Sequence, residues 1–350
     1  MSKIFTCFYG ISHALEAFNP LTYTLLCLHN KGVGNFMENN DRLTKLWVVF
    51  LLAMLSCFLW GSATPSIKTG YEIFSIASSD TWAIIQFAGI RFFLAGILVI
   101  LFESLKEKKF VKPEKAALPS IVKLGFAQTI IQYFCFYIGL AHTSGVTGTI
   151  LSGSGGFFSI LMACFLFRQE KMTTNKMVGV ILGFAGIIIM NISFSGGSMF
   201  TFTLPGEGLV LLSQISYALS GILVKRYSVK FNVVMLSGYQ FIFGGLVMVL
   251  VSLIAGARID MAVGIAGYVL LIYMALISAV AYTVWGILMK HNPVSRVSIF
   301  NFMTPLFGVL LSAIFLNEVE QALQINKLLA LILVSLGIFI VNRKSAESTK

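Results

Sequence analysis

Long runs of apolar residues, separated by short polar segments, make up most of the chain. A helix needs about 20 apolar residues to cross about 30 Å of hydrocarbon. Ten runs approach this length, and they span Trp47–Pro65, Thr81–Phe102, Leu118–Leu140, Val146–Phe167, Met177–Ile192, Gly208–Val224, Val233–Ala255, Val263–Met289, Val297–Leu316 and Leu328–Val341. The fifth and last runs are short, so we expect their flanking residues to complete the crossing. The pattern predicts an all-α polytopic membrane protein with ten transmembrane helices, because backbone groups in lipid must be paired within a helix.

The composition supports a bilayer as the solvent of this chain. Of the 350 residues, 57% are hydrophobic and 11% are charged, whereas about a quarter of a soluble domain is charged. Lys and Arg concentrate in alternate loops, and the opposite loops contain only Lys68, Arg258 and Lys327. This asymmetry predicts a multi-pass protein of the cell membrane with both termini in the cytoplasm. It also accounts for the net charge of +11 without a nucleic-acid partner.

Two polar tails flank the apolar runs, an N-terminal tail at residues 1–45 and a C-terminal tail at 343–350. Within the first tail the apolar run Leu21–Leu28 is too short to cross a bilayer. No signal-peptide cleavage pattern follows that run. Met37 begins a stretch that is typical of the start of a polytopic membrane protein. We therefore interpret residues 1–36 as an upstream-start extension or a disordered tail, with an interfacial anchor as the alternative.

The two halves of the chain resemble each other weakly but in a consistent order. The segment from Cys57 to Lys68 aligns with the segment from Gln214, RFFLAGIL from Arg91 aligns with QFIFGGLV from Gln240, and FLFRQE aligns with AIFLNE. The repeats are predicted at residues 46–192 and 207–342. Five helices per repeat is an odd number, so the two copies are predicted to be inverted in the membrane. Inverted repeats are typical of secondary transporters, which bind substrate near the bilayer midplane and rock about it in alternating access.

Several short motifs carry a resemblance to a known family. They are W-G-S-A at Trp60–Ala63, R-F-x-x-A-G at Arg91–Gly96, the glutamates Glu170 and Glu318 that end helices 4 and 9, and Pro305 in helix 9. From about residue 46 to 342 the chain resembles the EamA-type members of the drug/metabolite transporter superfamily. The resemblance implies ten helices in two repeats, and a membrane transporter of small metabolites that is often an exporter. It does not identify the substrate.

Small residues and prolines indicate where helices could bend or move. In helix 1, Gly61 allows close helix packing and Pro65 frees a backbone carbonyl. The alternative is ordinary close packing with a proline that ends the helix. Gly155 and Gly156 occupy the region of helix 4 that corresponds to Pro305 in helix 9, where the first repeat has no proline. These five residues are the gate or hinge candidates.

Arg91 lies near the middle of predicted helix 2, where a charge costs at least about 2.5 kcal/mol on insertion scales. Its side chain could hold a substrate carboxylate or phosphate through paired N–H donors. It could instead bond helix-end carbonyls and buried hydroxyls and so hold the repeat together. The sequence leaves both interpretations open.

Polar and aromatic side chains recur on the helices that we expect to line a central cavity. On helix 3, Gln128 and Gln132 are four residues apart, as are Tyr133 and Tyr137, so each pair shares a stripe of the helix. Such a set suits a largely apolar pocket with a few converging polar groups, although interhelical contacts would also explain many of its members. The cavity candidates are Trp60, Arg91, Gln128, Gln132, Tyr133, Tyr137, Ser154, Tyr217, Gln240, Tyr282, Trp285 and Asn301.

Ionisable residues other than Arg91 are missing from the middle of the predicted helices. None of the 14 Asp and Glu residues and none of the four His residues lies there, so a buried proton relay is not indicated. Facilitated diffusion or exchange is therefore as plausible as proton coupling, with a counter-ion or an exchanged metabolite as a possible partner. Glu170 and Glu318 are expected to act near helix N-termini, where negative charge is favoured.

The function predicted from the sequence is secondary transport of a small metabolite. The candidate substrates are amino acids or related compounds, because Arg91 and the aromatic stripes suit a zwitterion with an apolar side chain. Export of hydrophobic drugs or other metabolites is the alternative within transport, and a non-transporting scaffold or a pore is the alternative of a different class. No catalytic, metal-binding or cofactor motif is found. The sequence does not indicate an oligomeric state.

Overall fold

Helices form all of the long regular elements in the computed structural model, which describes residues 43–168, 171–192, 202–292, 297 and 299–342. Eight of these helices are long and apolar enough to cross a membrane, and two further apolar helices are shorter. Together they match the ten predicted runs. We number them α1 Leu46–Ile73, α2 Thr81–Lys106, α3 Lys115–Ala141, α4 Gly145–Leu166, α5 Thr174–Met190, α6 Leu204–Ser228, α7 Val233–Ile254, α8 Gly264–His291, α9 Phe300–Phe315 and α10 Ile325–Asn342.

Contacts within the chain divide it into two units, Met1–Val49 and Phe50–Lys350. Most of the first unit, including the predicted 1–36 extension, lies outside the described residues, as does the C-terminal tail. All the contacts discussed below belong to the second unit.

Helix α1 passes through its proline. The helix extends to Ile73, with Pro65 inside it, so the alternative in which Pro65 ends the helix is wrong. A proline within a helix lacks the N–H that would bond the carbonyl four residues earlier, which here belongs to Gly61. Gly61 is also where α1 meets α9, because a Cβ at Gly61 would lie 2.9 Å from the Gly308 nitrogen. The helix therefore combines a missing hydrogen bond with a close helix contact.

Helices α3 and α4 are irregular in their middle sections. Helix α3 contains a π-helical segment at Gly125–Ile131, and α4 ends in another at Met162–Leu166. Helix α4 is also interrupted by a turn between the segments Gly145–Ser152 and Gly155–Leu161. This turn lies next to the hinge candidates Gly155 and Gly156, in the first-repeat region that corresponds to Pro305. Irregular helical turns of this kind are frequent at functional sites.

Helices α2 and α7, which correspond to each other in the two repeats, pack backbone against backbone. A Cβ at Gly89 would lie 2.9 Å from the Gly245 carbonyl oxygen, and one at Gly245 would lie 2.8 Å from the Gly89 oxygen. The counterpart of this contact under the repeat alignment joins Gly96 and Gly238, because a Cβ at Gly96 would lie 2.7 Å from the Gly238 oxygen. Small residues permit such close approach between helices in a membrane. Mutual contacts of this kind indicate a local two-fold relation.

Helices α5 and α10 form a second pair with the same property. A Cβ at Gly179 would lie 2.6 Å from the Gly337 oxygen, and one at Gly337 would lie 2.6 Å from the Gly179 oxygen. In the corresponding place, a Cβ at Gly186 would lie 3.0 Å from the Ala330 oxygen. Two reciprocal pairs between halves of five helices match the predicted architecture of two inverted repeats. The fold class read from the sequence is therefore confirmed.

Candidate functional site

Arg91 is buried within helix α2, with 3% of its surface exposed. Its Nε donates to the Met274 carbonyl at 3.1 Å, and its Nη2 donates to Ser278 Oγ at 3.2 Å. Both acceptors belong to α8 in the second repeat. Its Nη1 donates to Tyr137 Oη on α3 at 2.6 Å. Arg91 therefore ties α2 and α3 of one repeat to α8 of the other.

The Arg91 charge is compensated by dipoles and aromatic rings. Its guanidinium carbon lies 4.9 Å from the centre of the Phe92 ring and 6.0 Å from that of Tyr137, within the range of cation–π attraction. No carboxylate of the described residues lies within 4.0 Å of it. Three of the five N–H groups of an arginine are bonded here, and each terminal nitrogen retains one N–H. The site thus holds a positive charge that no acid of the described residues pairs with.

Aromatic side chains from both repeats form a connected set that begins at Phe92, the ring next to Arg91, and we call them the aromatic cluster. Its members are Trp60, Phe92, Tyr133, Phe241, Tyr282 and Trp285. The ring centres of Trp60 and Trp285 are 5.1 Å apart, and those of Trp60 and Tyr282 are 5.6 Å apart. The hydroxyls of Tyr133 and Tyr282 lie 3.1 Å apart. The distances between ring centres are those at which aromatic pairs attract each other, and the distance between the hydroxyls is that of a hydrogen bond.

The cluster changes from buried to accessible across its width. Phe92, next to Arg91, and Phe241, which stacks on Phe92, are fully buried, whereas Trp60, Tyr133 and Tyr282 are only partly buried. A wall of rings with an accessible face and a cation on its buried side resembles the usual small-molecule site, which is mostly apolar with few polar groups.

The hydrogen bonds recorded for the glutamine candidates do not involve the aromatic cluster. The Gln240 side-chain oxygen accepts a hydrogen bond from Thr129 Oγ1 on α3, at 2.5 Å, and its Nε2 has no partner. Gln132 is buried with its Oε1 unpaired. Gln128 lies in the π-helical segment of α3, so the four-residue spacing from Gln128 to Gln132 does not follow a regular α-helical stripe. These side chains mark the α3–α7 side of the bundle.

The remaining candidates border the interrupted part of α4. Ser154 is fully buried, and its Oγ has no hydrogen-bond partner. Gly155 faces α6, because a Cβ there would lie 2.8 Å from Tyr217 Cδ1, whereas a Cβ at Gly156 would meet nothing within 4 Å. Asn301 lies in the short 3₁₀ turn that precedes the main part of α9. Pro305 is buried just beyond that turn.

Sequence reasoning missed several residues that complete the Arg91 site. The Met274 carbonyl and the Ser278 hydroxyl accept from Arg91, and Tyr71 Oη donates to the Tyr137 carbonyl at 2.8 Å. Met274 and Ser278 are four residues apart on α8, which places them on one stripe. That spacing could have indicated a shared stripe of α8. A backbone carbonyl acceptor, however, cannot be recognised from the identity of its residue.

Glu318 occupies the position expected for a helix-terminal acid. Its Oε1 accepts from the Gly145 backbone N–H at 2.9 Å, and its Oε2 accepts from that of Val146 at 2.8 Å. These N–H groups begin α4, so the carboxylate caps the positive end of that helix. The prediction for Glu318 is confirmed, and Glu170 lies outside the described residues.

Comparison with known proteins agrees with the fold. The EamA-like transporter family matches residues 47–192 and again 204–343. The chain is 27% identical to the Bacillus subtilis protein named uncharacterized transporter YvbV, over 87% of this chain and 94% of that one. It is 25% identical to the uncharacterized inner membrane transporter YedA of Escherichia coli, over 82% and 90% of the two chains.

Two further likenesses support the same grouping. A chloroplastic WAT1-related protein of Arabidopsis thaliana is 25% identical to this chain over 84% of it, and the match covers 67% of the plant protein. A crystal structure shares the fold with a TM-score of 0.58 at 14% identity, over 83% of this chain and 95% of the other. With two family matches that together span most of its length, the chain belongs to the EamA-like transporter family of the drug/metabolite transporter superfamily.

Proposed function

We propose that this protein moves an amino acid or a closely related small metabolite across the cell membrane, in the direction of export, by alternating access between its two repeats. The observation that carries the proposal is the pairing of Arg91 with the aromatic cluster. A buried cation without a neighbouring acid attracts a carboxylate, and the rings next to it accept an apolar side chain.

The proposed orientation of the protein in the membrane rests on the distribution of basic residues. Lys and Arg concentrate on one side, which we take as the cytoplasm together with both termini. The end of the bundle that carries Lys68, Glu318 and Lys327 then faces outward. The described spans place no acid beside Arg91, so exchange or facilitated diffusion is proposed alongside proton coupling.

Reconstituted protein in liposomes tests the proposal directly. We would measure uptake of labelled amino acids with and without a pH gradient, and with and without unlabelled amino acid inside. Competition by the matching amino-acid amide, which lacks the carboxylate, shows whether the carboxylate is recognised. We expect the free acid to be preferred about tenfold or more, the scale of a hydrogen bond to a charged group.

Arg91→Gln distinguishes binding of the substrate carboxylate by Arg91 from a purely structural role of this residue. The variant should lose the preference for the free acid, because it removes the charge that the carboxylate meets. Ser278→Ala is the matched control, since it removes one Arg91 partner but keeps the charge, and it should retain the preference. If folded Arg91→Gln discriminates as well as the wild type, Arg91 holds helices together and does not bind the carboxylate.

The same liposomes distinguish the substrate classes. If no amino acid moves under any of these conditions, the zwitterion proposal fails. Efflux of a lipophilic fluorescent dye would then support drug export, to which the aromatic cluster is also suited. If no solute moves, a non-transporting role becomes the working hypothesis.

A further inference from the structure

One end of the bundle is closed by polar contacts that run between the two repeats. Glu318 follows α9 of the second repeat, and its two carboxylate oxygens accept from Gly145 and Val146 at the start of α4 in the first. From α10, Lys327 Nζ donates to Thr147 Oγ1 on the same turn of α4, at 2.9 Å. Both contacts join helices that must separate if the repeats rock apart at this end.

Two lysines flank the Glu318 carboxylate. Lys68 on α1 is attracted by the charges of Glu318 and Glu72, and Lys327 on α10 by those of Glu207 and Glu318. These are two of the three basic residues that the predicted topology places on the outer side. Glu318 therefore draws together α1 and α4 of the first repeat with α9 and α10 of the second.

The seam between α4 and α9 next to this carboxylate contains hydroxyls that lack partners. Thr149 Oγ1 and Ser312 Oγ have no hydrogen bond, and the two residues are 1% and 0% exposed. Ser312 lies beside the Glu318 contact, because a Cβ at Gly145 would be 3.0 Å from Ser312 Oγ and 3.2 Å from Glu318 Oε2. A buried hydroxyl without a partner is unfavourable, and exposure to water would relieve it.

The two halves of α4 differ in how tightly they are packed. The segment that begins at Gly145 is buried through Leu151, and α9 is buried beside it at Gly308, Val309 and Ser312. By contrast, no residue of the segment Met162–Leu166 at the other end of α4 is buried. The Glu318 end is therefore the closed end of the described structure.

From these contacts we infer that Glu318 is the latch of the outer gate, and that its release opens the site to the outer side. Closure is favoured by the charged hydrogen bonds of Glu318 and opposed by the unpaired hydroxyls of Thr149 and Ser312. Opposing contributions of this kind give two states of similar free energy, as a gate requires. The inference rests on the proposed alternating access and is independent of the substrate.

A cysteine in the seam reports whether the gate is open. Ser312→Cys places a thiol of nearly the same size in the buried seam, in a chain whose other cysteines are replaced. The native Cys164, retained alone in a second variant, reports the opposite end of α4. A membrane-impermeant maleimide is applied to right-side-out and to inverted membrane vesicles, and the rate of labelling is measured on each face.

Glu318→Gln should release the latch. Glutamine has only one accepting oxygen and no negative charge, so it cannot accept hydrogen bonds from both the Gly145 and the Val146 N–H groups. We expect outer labelling of the Ser312→Cys thiol to rise about tenfold or more and inner labelling of Cys164 to fall. Glu318→Asp, which retains the charge, should restore part of the wild-type rates. Glu103→Gln is the matched control, since Glu103 is a buried acid at the far end of α2 that bonds Asn232, and it should leave outer labelling unchanged.

Thr149→Val tests the same balance from the opposite direction. It removes an unpaired hydroxyl and keeps the shape, so closure should strengthen and outer labelling should slow. A rise on both faces with Glu318→Gln would indicate loss of folding and would overturn the inference, as would unchanged rates or a failure of Thr149→Val to slow labelling. Because labelling needs no substrate, a failure of amino-acid transport leaves this result intact, and the two proposals can fail separately.

Discussion

Replacing Gly96 by alanine should weaken the α2–α7 pair that joins the two repeats. A Cβ at Gly96 would lie 2.6 Å from the Ile242 nitrogen and 2.7 Å from the Gly238 oxygen. Both atoms belong to the α7 backbone, so no side-chain rotation can relieve the contact. Since ordinary contact begins at 3.4 Å, the helices would have to separate locally by about 0.8 Å, at the expense of close-packed contacts along their length.

The size of the effect follows from two opposing contributions. Alanine favours a helix over glycine by up to about 1 kcal/mol, whereas overpacking a rigid contact typically costs about 1–3 kcal/mol. Gly221→Ala isolates the first contribution, because Gly221 lies within α6 and a Cβ there would meet nothing within 4 Å. We expect Gly221→Ala to be neutral or stabilising and Gly96→Ala to be destabilising by about 1–2 kcal/mol relative to it.

Thermal unfolding of the two purified variants in the same detergent measures this difference. At about 2.1 cal/mol/K of unfolding entropy per residue, 1 kcal/mol corresponds to about 1.4 °C in Tm for 350 residues, so the two variants should differ by about 1–3 °C, with Gly96→Ala lower. Equal Tm values would mean that α2 and α7 are not in backbone contact in the membrane protein. The reciprocal-contact argument for the two-fold relation would then lose its main support.

Two further changes test other features of the fold. Asn326 Nδ2 donates to the carbonyls of Met190 and Ile192 at the end of α5, both at 3.0 Å, so Asn326→Ala should lower the free energy of unfolding by about 1–3 kcal/mol, seen as a lower Tm. Pro65→Ala should close the missing hydrogen bond to Gly61 and raise the Tm, while slowing transport if Pro65 serves as a hinge; a raised Tm with an unchanged transport rate would contradict the hinge.

The architecture could be predicted from the sequence because it follows from repeated, local signals. A run of apolar residues of sufficient length predicts a transmembrane helix. The short run at α10 was extended by its flanking residues to 18 residues as expected, whereas α5 has 17 residues and remains one of the two shorter apolar helices. The passage of α1 through Pro65 could not be predicted, since a proline next to polar residues resembles a helix end. In the structure, the helix continues to Ile73, and Gly61, one turn before the proline, packs closely against α9.

The candidate site was less accessible to prediction, because it depends on contacts between distant segments. Arg91 and four members of the aromatic cluster were singled out as polar or aromatic residues at bilayer depth. Phe92 and Phe241 were not, since a phenylalanine in an apolar helix carries no signal of its own. The partners of Arg91 on α8 were missed for a similar reason, because one is a backbone carbonyl. Glu318 was predicted because an acid at a helix end has few other favourable roles.

The contacts separate helices that are fixed from helices that have the means to move. Pairs α2–α7 and α5–α10 join the repeats through backbone contacts that leave no room for a Cβ at Gly89, Gly96, Gly179 or Gly337. Helices α1, α4 and α9 contain instead an internal proline, a turn and a 3₁₀ segment, and these are the helices that meet at Gly61 and Glu318. If the repeats moved as rigid halves, both glycine pairs would have to slide. We therefore expect opening at the Glu318 end to occur by bending of α1, α4 and α9, while α2, α5, α7 and α10 keep their contacts.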